Sequence, residues 1–276
     1  MLFLRPISTN TLKPVLDLQE VSHFRMLAVS AYWDLKGNSR KASQDQYYKT
    51  HMEKTTQFNV DYAFFGERDV TTLVKSYRIG KTTHDFELSW PDLVHVCEQE
   101  FRCADILRKL RATSLHRDHS EGETHCPSAE LLLVWLSKVL LVEKSMELWP
   151  SYTHYGWIDA GYKGLKNQMP SDSPWPSRDL SKISGFYIKT DPNAGKDFYW
   201  RRGMTTAPIG CMWFGDRRAC KIFVQTCARI TKERFHESLT LCADQDVFAL
   251  AIEEMQKTRD CTVTIAGNSG YGPFWV

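Results

Sequence analysis

Two short apolar runs separated by one helical stretch constrain this chain more than any other feature. Met26-Leu27-Ala28-Val29-Ser30-Ala31-Tyr32-Trp33 has the length and character of a buried strand. A polar loop over residues 34–43 follows, holding Gly37, Asn38 and Arg40, and residues 46–57 then pattern as a helix. Val60-Asp61-Tyr62-Ala63-Phe64-Phe65-Gly66 is a second apolar run. Two strands joined through a helix cannot form a hairpin. They need a crossover, and so predict a parallel sheet.

The rest of the chain extends that reading. Residues 71–110 read mostly as helix, and residues 112–128 as a polar, exposed loop. Residues 131–149, within a helical stretch that starts at Ala129, are the most apolar part of the chain, broken by Ser137, Lys138, Glu143 and Lys144. It falls short of the roughly 18 uninterrupted apolar residues of a membrane span and reads as a buried helix. A third strand, Tyr155-Gly156-Trp157-Ile158-Asp159-Ala160-Gly161-Tyr162, ends on an acid and a glycine. Residues 163–181, rich in Pro, Ser, Asp and Lys, predict a loop. Apolar runs at 183–189 and 207–215, amphipathic helices at 217–234 and 243–257, and a last strand at 261–266 complete the pattern. There is no internal repeat and no linker. The expected organisation is an N-terminal arm (1–24) and a single α/β domain (25–276), in which about 25–162 binds nucleotide and about 183–276 binds acceptor.

Charge and cysteine usage narrow the function classes. The 35 basic and 33 acidic side chains leave a formal charge of +2, too little excess cation for nucleic-acid binding by bulk electrostatics. Nine Trp and eleven Tyr suit stacking on sugar rings or bases, and equally suit a core. Eight cysteines are scattered without a CxxC, several in apolar segments as buried thiols would be. Met1-Leu2-Phe3-Leu4-Arg5-Pro6 is too soon broken for a signal peptide, and no N-x-S/T site occurs. A reducing, cytoplasmic setting is the expectation. His116, His119, His125 and Cys126 match no standard zinc spacing. There is no GxGxxG, Walker loop, GxSxG or HExxH.

Three segments can carry chemistry. In Trp157-Ile158-Asp159-Ala160-Gly161 an apolar strand ends on a carboxylate, where open α/β sheets bind ligands. Asp159 could hold a divalent ion against a diphosphate, or could simply close a strand-end turn. In Asp244-Gln245-Asp246 two carboxylates flank an amide at a helix start. They could serve as general base or steady an oxocarbenium-like centre, or could cap the helix and favour its dipole. Gly210-Cys211-Met212-Trp213-Phe214-Gly215 could let a sugar approach the backbone at Gly210 and stack on Trp213, or could be ordinary strand packing.

In this order the segments resemble the HtrL/YibB (WlaTC-like) family of glycosyltransferases. The resemblance rests on Trp135-Leu136-Ser137-Lys138, Glu147-Leu148-Trp149-Pro150 and Trp157-Ile158-Asp159-Ala160-Gly161. It continues through residues 210–215 and 243–248 and, at the front, through residues 28–34 with Arg40. It covers most of residues 25–265 as scattered short motifs. The resemblance implies a GT-A-like fold, a nucleotide-diphosphate donor (a UDP-sugar, hexose or xylose), a glycan acceptor and a Mn²⁺ or Mg²⁺ ion. It places Ser30, Tyr32 and Trp33 near base and ribose, and Arg40 and Lys138 near the diphosphate. Asp159, with Ala160 and Gly161, would take the metal or ribose. Asp244 would be the base of an inverting reaction, and Gln245 or Asp246 would act in a retaining one. The loop 163–181 would be a lid. Asp159-Ala-Gly161 departs from the common DxD form by lacking a second acid. Proteins of this general look also occur in large DNA viruses that build their own capsid glycans. Two rivals stay open: a non-catalytic glycan- or nucleotide-binding protein on the same scaffold, and a metal-dependent hydrolase using Asp159, Asp244 and Asp246.

Overall fold

A computed structural model describes residues 24–35, 43–105, 107–108, 129–161, 184–190, 208–237 and 244–266. Among them, in chain order, run β1 (Met26–Tyr32), α1 (Ser43–Thr56), β2 (Asp61–Gly66), α2 (Arg68–Tyr77), β3 (Thr83–Glu87) and α3 (Trp90–Phe101). Then follow α4 (Ala129–Leu148), β4 (His154–Ile158), β5 (Phe186–Thr190), β6 (Pro208–Asp216), α5 (Arg217–Glu237), α6 (Asp244–Thr258) and β7 (Val263–Ala266).

The seven strands make one sheet in the order β3-β2-β1-β4-β6-β5-β7. Pairs β3–β2, β2–β1, β1–β4 and β5–β7 are parallel, while β6 runs antiparallel to both neighbours. This is the mixed, mostly parallel sheet flanked by helices that the strand–helix–strand unit and the family resemblance both implied. One strand was not anticipated. β3 lies inside the stretch 71–110, whose sequence reads as helix. Its five residues, Thr-His-Asp-Phe-Glu, alternate without an apolar run, and none is buried, because β3 is an edge strand.

Strand alternation divides the core. From β1, Leu27, Val29, Ala31 and Trp33 point into the main cluster with α3, α4, α5 and α6. Met26 and Ala28 point the other way, as does Tyr32, which packs with Met52 of α1 and Val70 and Val74 of α2. All seven β1 residues are buried, as a central parallel strand covered on both faces requires. α4 is enclosed along most of its length, which explains a helix apolar on nearly every side.

Local chemistry sets the helix starts. Ser89 caps α3 by accepting from the Asp92 N–H at 3.3 Å, with Pro91 in the first turn. Asp216 caps α5, accepting from the Ala219 N–H at 2.8 Å, and its other oxygen accepts from the Gly185 N–H at 2.5 Å. One carboxylate thus ties the end of β6, the start of α5 and the entry to β5. Gly185 has φ +108°, and a Cβ there would meet the Thr262 carbonyl oxygen at 2.3 Å, so glycine is required on two grounds.

Candidate functional site

The chain steps from β1 to β2 to β3 in one direction, then returns to place β4 on the opposite flank of β1. The carboxyl ends of β1 and β4 therefore flank a topological switch point, where crevices open in α/β sheets. β4 delivers Asp159 to this edge. β1 delivers Tyr32 and Trp33.

Asp159 follows Trp157 by two residues, so both side chains leave β4 on the same face. The Trp157 indole Nε1–H donates to Asp159 Oδ1 at 2.5 Å. Lys138, from the middle of α4, reaches the same oxygen at 3.0 Å. Its Nζ also lies 2.7 Å from Asp244 Oδ2 and donates to the Gly210 carbonyl at 3.0 Å. The ammonium sits 5.7 Å from the centre of the Trp157 ring. Four elements (α4, β4, β6 and the start of α6) thus converge on one nitrogen. Lys138 is 4% exposed. It donates to the Gly210 carbonyl and forms ion pairs with the two carboxylates, so its close neighbours are three oxygens.

The two carboxylates differ in access. Asp159 keeps a side-chain exposure of 22%, and its Oδ2 has no partner among the described residues. Asp244 is enclosed at 6%; Oδ2 faces Lys138, and Oδ1 accepts from the Gln245 N–H at 3.0 Å. Burial pushes the Asp244 carboxyl above its ordinary value, and Lys138 draws part of that rise back. Burial works against the charge on Lys138, but Asp159 and then Asp244 outweigh it and hold the ammonium above its ordinary value.

Gly210 is fixed by the same cluster. A Cβ at this position would meet Asp244 Oδ2 at 2.4 Å and Cγ at 2.8 Å. The absence of a side chain lets the carboxylate lie directly against the β6 backbone.

The structure redistributes several expected roles. Lys138, expected near the diphosphate, is buried and pairs inside the protein with Asp159, Asp244 and the Gly210 carbonyl. Trp213 is 1% exposed and packs against Phe186, Phe223 and Phe248, so it is core and cannot serve as a sugar platform. Trp33 is likewise buried beside Trp90, and its indole N–H donates to the Leu88 carbonyl at 2.9 Å, which removes it from the base and ribose. Asp246 is wholly buried, whereas Gln245 is partly open. Ser30 Oγ is buried on β1 with no hydrogen-bond partner among the described residues. Tyr32 and Ala160 share a small cluster at the same sheet edge, with buried Gly161 following. Arg40, the loop 163–181 and the histidine cluster at 116–126 lie outside the described residues. Trp157 is the member that the sequence reading missed. The Trp-x-Asp spacing on a strand was the available signal.

The expected Mn²⁺ or Mg²⁺ was placed on Asp159 with the donor diphosphate; a second ligand from Asp244 is not available to it. One Asp159 oxygen already accepts from Trp157 and Lys138, and the ammonium stands between the carboxylates. Among the described residues no three His, Cys, Asp or Glu side chains converge as a metal shell.

No protein-family model matches the chain, so the motif likeness to HtrL/YibB proteins stays a resemblance. No curated protein matches it either. Among solved structures, the chain is similar to mouse xyloside xylosyltransferase 1 in its apo form, with TM-score 0.45 and 9% identity over 88% of this chain and 84% of that one. It is also similar to a glycosyltransferase involved in the glycosylation of the major capsid of PBCV-1, with TM-score 0.41 and 10% identity over 88% and 82%. Among the described residues no helix is long and apolar enough to cross a membrane.

Proposed function

We propose that the chain is a GT-A-type glycosyltransferase that moves a sugar from a nucleotide-diphosphate donor, a UDP-sugar first among the candidates, to a hydroxyl of a glycan acceptor. The observation that carries this reading is the convergence of Asp159 and Asp244 on Lys138 at the carboxyl edge beside the β1–β4 switch point. The motif resemblance supports it independently.

In this reading the donor lies across the ends of β1 and β4. Asp159 Oδ2, which has no partner among the described residues, accepts from a ribose or sugar hydroxyl. Tyr32, at the carboxyl end of β1, bounds the nucleotide side, with the buried Ser30 beneath it. Gln245, the partly open member of Asp244-Gln245-Asp246, lies toward the reacting sugar, and Asp244 behind it contributes negative charge near a centre that becomes cationic in the transition state. No step is routed through a metal ion. The acceptor side of the crevice is bounded by the Gly210 segment rather than by Trp213.

Turnover tests this directly. The chain is incubated with UDP- and GDP-sugars, with and without glycan acceptors, and free nucleotide is measured. Acceptor-dependent nucleotide release is expected, reduced about 10²-fold or more in Asp159→Asn. Release of free sugar at the same rate without acceptor would point to the hydrolase. Nucleotide binding without release would point to the non-catalytic scaffold.

A further inference from the structure

We infer that Lys138 is a built-in counter-cation: its ammonium occupies the place that a divalent ion bridging Asp159 and Asp244 would take, and it positions both carboxylates without such an ion.

Three observations carry this. First, the contacts are those of a coordination shell. Nζ lies 3.0 Å from Asp159 Oδ1, 2.7 Å from Asp244 Oδ2 and 3.0 Å from the Gly210 oxygen. All three are oxygen donors, and two are carboxylates, the ligand set that hard divalent cations select. Second, the shell has been made close-fitting at a backbone position. Asp244 lies where a Cβ of residue 210 would sit, so only glycine admits the carboxylate to the cluster. Third, the cation is permanently housed. α4 is enclosed over the turn that carries Lys138, and the neighbouring Ser137 and Val139 are buried too. Without this cation the buried Asp244 and the partly exposed Asp159 would repel each other with no opposite charge between them.

The consequence is a division of labour. Lys138 does not touch the donor. It orients the carboxylates, holding Asp159 Oδ1 together with Trp157 and Asp244 Oδ2 beside Gly210. It is a positioning residue. The inference concerns the acidic pair itself and goes beyond the transferase reading, which could fail while this one stands.

The test removes the ammonium and asks whether a metal takes its place. Lys138→Ala leaves a cation-sized space lined by the three oxygens. Purified full-length chain is titrated with Mn²⁺, and binding is read from the loss of the free-ion electron paramagnetic resonance signal. Lys138→Ala is expected to bind Mn²⁺ at least about tenfold more tightly than the natural chain, a gain of about 1.4 kcal/mol. Lys138→Ala/Asp244→Asn should lose the gain. If Lys138→Ala folds only when Mn²⁺ is present, recovery of its far-ultraviolet circular dichroism on adding the ion reports the same site. Equal Mn²⁺ affinity in the natural and Lys138→Ala chains overturns the inference. So does a natural chain whose Mn²⁺ binding disappears in Asp244→Asn, or a Lys138→Ala chain that stays unfolded in saturating Mn²⁺.

Discussion

Two buried cations sit at opposite edges of one sheet, and their partners are of opposite kinds. Arg78, just past α2, lies at the amino edge, where β2 and β3 begin. Its guanidinium donates to the carbonyls of Thr56, Phe58, Val60 and Thr82 and to the Thr83 hydroxyl, and lies 4.3 Å over the Tyr62 ring. Every acceptor is neutral. Lys138, at the carboxyl edge, meets two carboxylates and one carbonyl. Burial lowers the Arg78 pKa, and neighbouring Tyr62 and Asp61 only partly oppose the fall. Burial acts the same way on Lys138, but the two acids reverse the sign. A cation clamping backbone holds loops together. A cation clamping acids stores negative charge at a fixed place, as a site needs and a core does not.

The contrast is broken most forcefully by deleting each cation. Arg78→Met strands several buried carbonyls, and Lys138→Met strands the buried Asp244 beside the partly exposed Asp159. Each is expected to cost about 3–5 kcal/mol in denaturant unfolding. The difference lies in rescue. Adding Asp244→Asn to Lys138→Met should recover about 1–3 kcal/mol, since one unpaired charge is gone. No carboxylate replacement should rescue Arg78→Met, and equal rescue of both would erase the distinction.

A smaller effect sharpens the Lys138 side alone. Gly210→Ala sets a methyl group 2.4 Å from Asp244 Oδ2, so the carboxylate must move. The expected cost is about 1–3 kcal/mol, with a loss of turnover out of proportion to it. Unchanged stability and turnover would mean that Asp244 is free to shift.

Smallest are the pH effects, and their signs follow from the shifts. Lys138 is held above its ordinary 10.5, so the folded chain keeps that proton when the unfolded chain releases it. Its contribution is complete below about pH 10 and fades as pH rises through the higher native value. Asp244 is raised from 3.8, so between that value and its native one stability falls as pH rises. Denaturant titrations across both ranges should lose the alkaline arm in Lys138→Met and the acid arm in Asp244→Asn.

The same contrast explains what the sequence made legible. β1, β2 and α4 are written in predominantly apolar runs, because two-sided burial leaves few polar positions to confuse the pattern. Asp159 was visible because a strand ending in an acid is rare without a reason. The role of Lys138 was not. Within α4 it reads as one polar residue in an apolar helix, and only the packing of α4 against β4, β6 and α6 reveals that it pairs inside the protein. Trp213 misled for the converse reason. Its place beside glycines looked open, yet phenylalanines from β5, α5 and α6 close over it. Arg78 drew no notice, since a hub for carbonyls 4 to 22 residues away has no local sequence mark.

Nucleotide-dependent melting of the natural chain beside Asp159→Asn tests the central claim most directly. A ligand that binds only the folded state stabilises it by mass action, by about 2.7 kcal/mol at a hundred times Kd, and so raises the melting temperature. The account predicts a rise with a nucleoside diphosphate, UDP foremost, that Asp159→Asn largely abolishes while Arg229→Ala, at an exposed ion pair, leaves it intact. A natural chain that no nucleoside diphosphate stabilises, or a rise undiminished in Asp159→Asn, would contradict the placement of a donor site at this edge of the sheet.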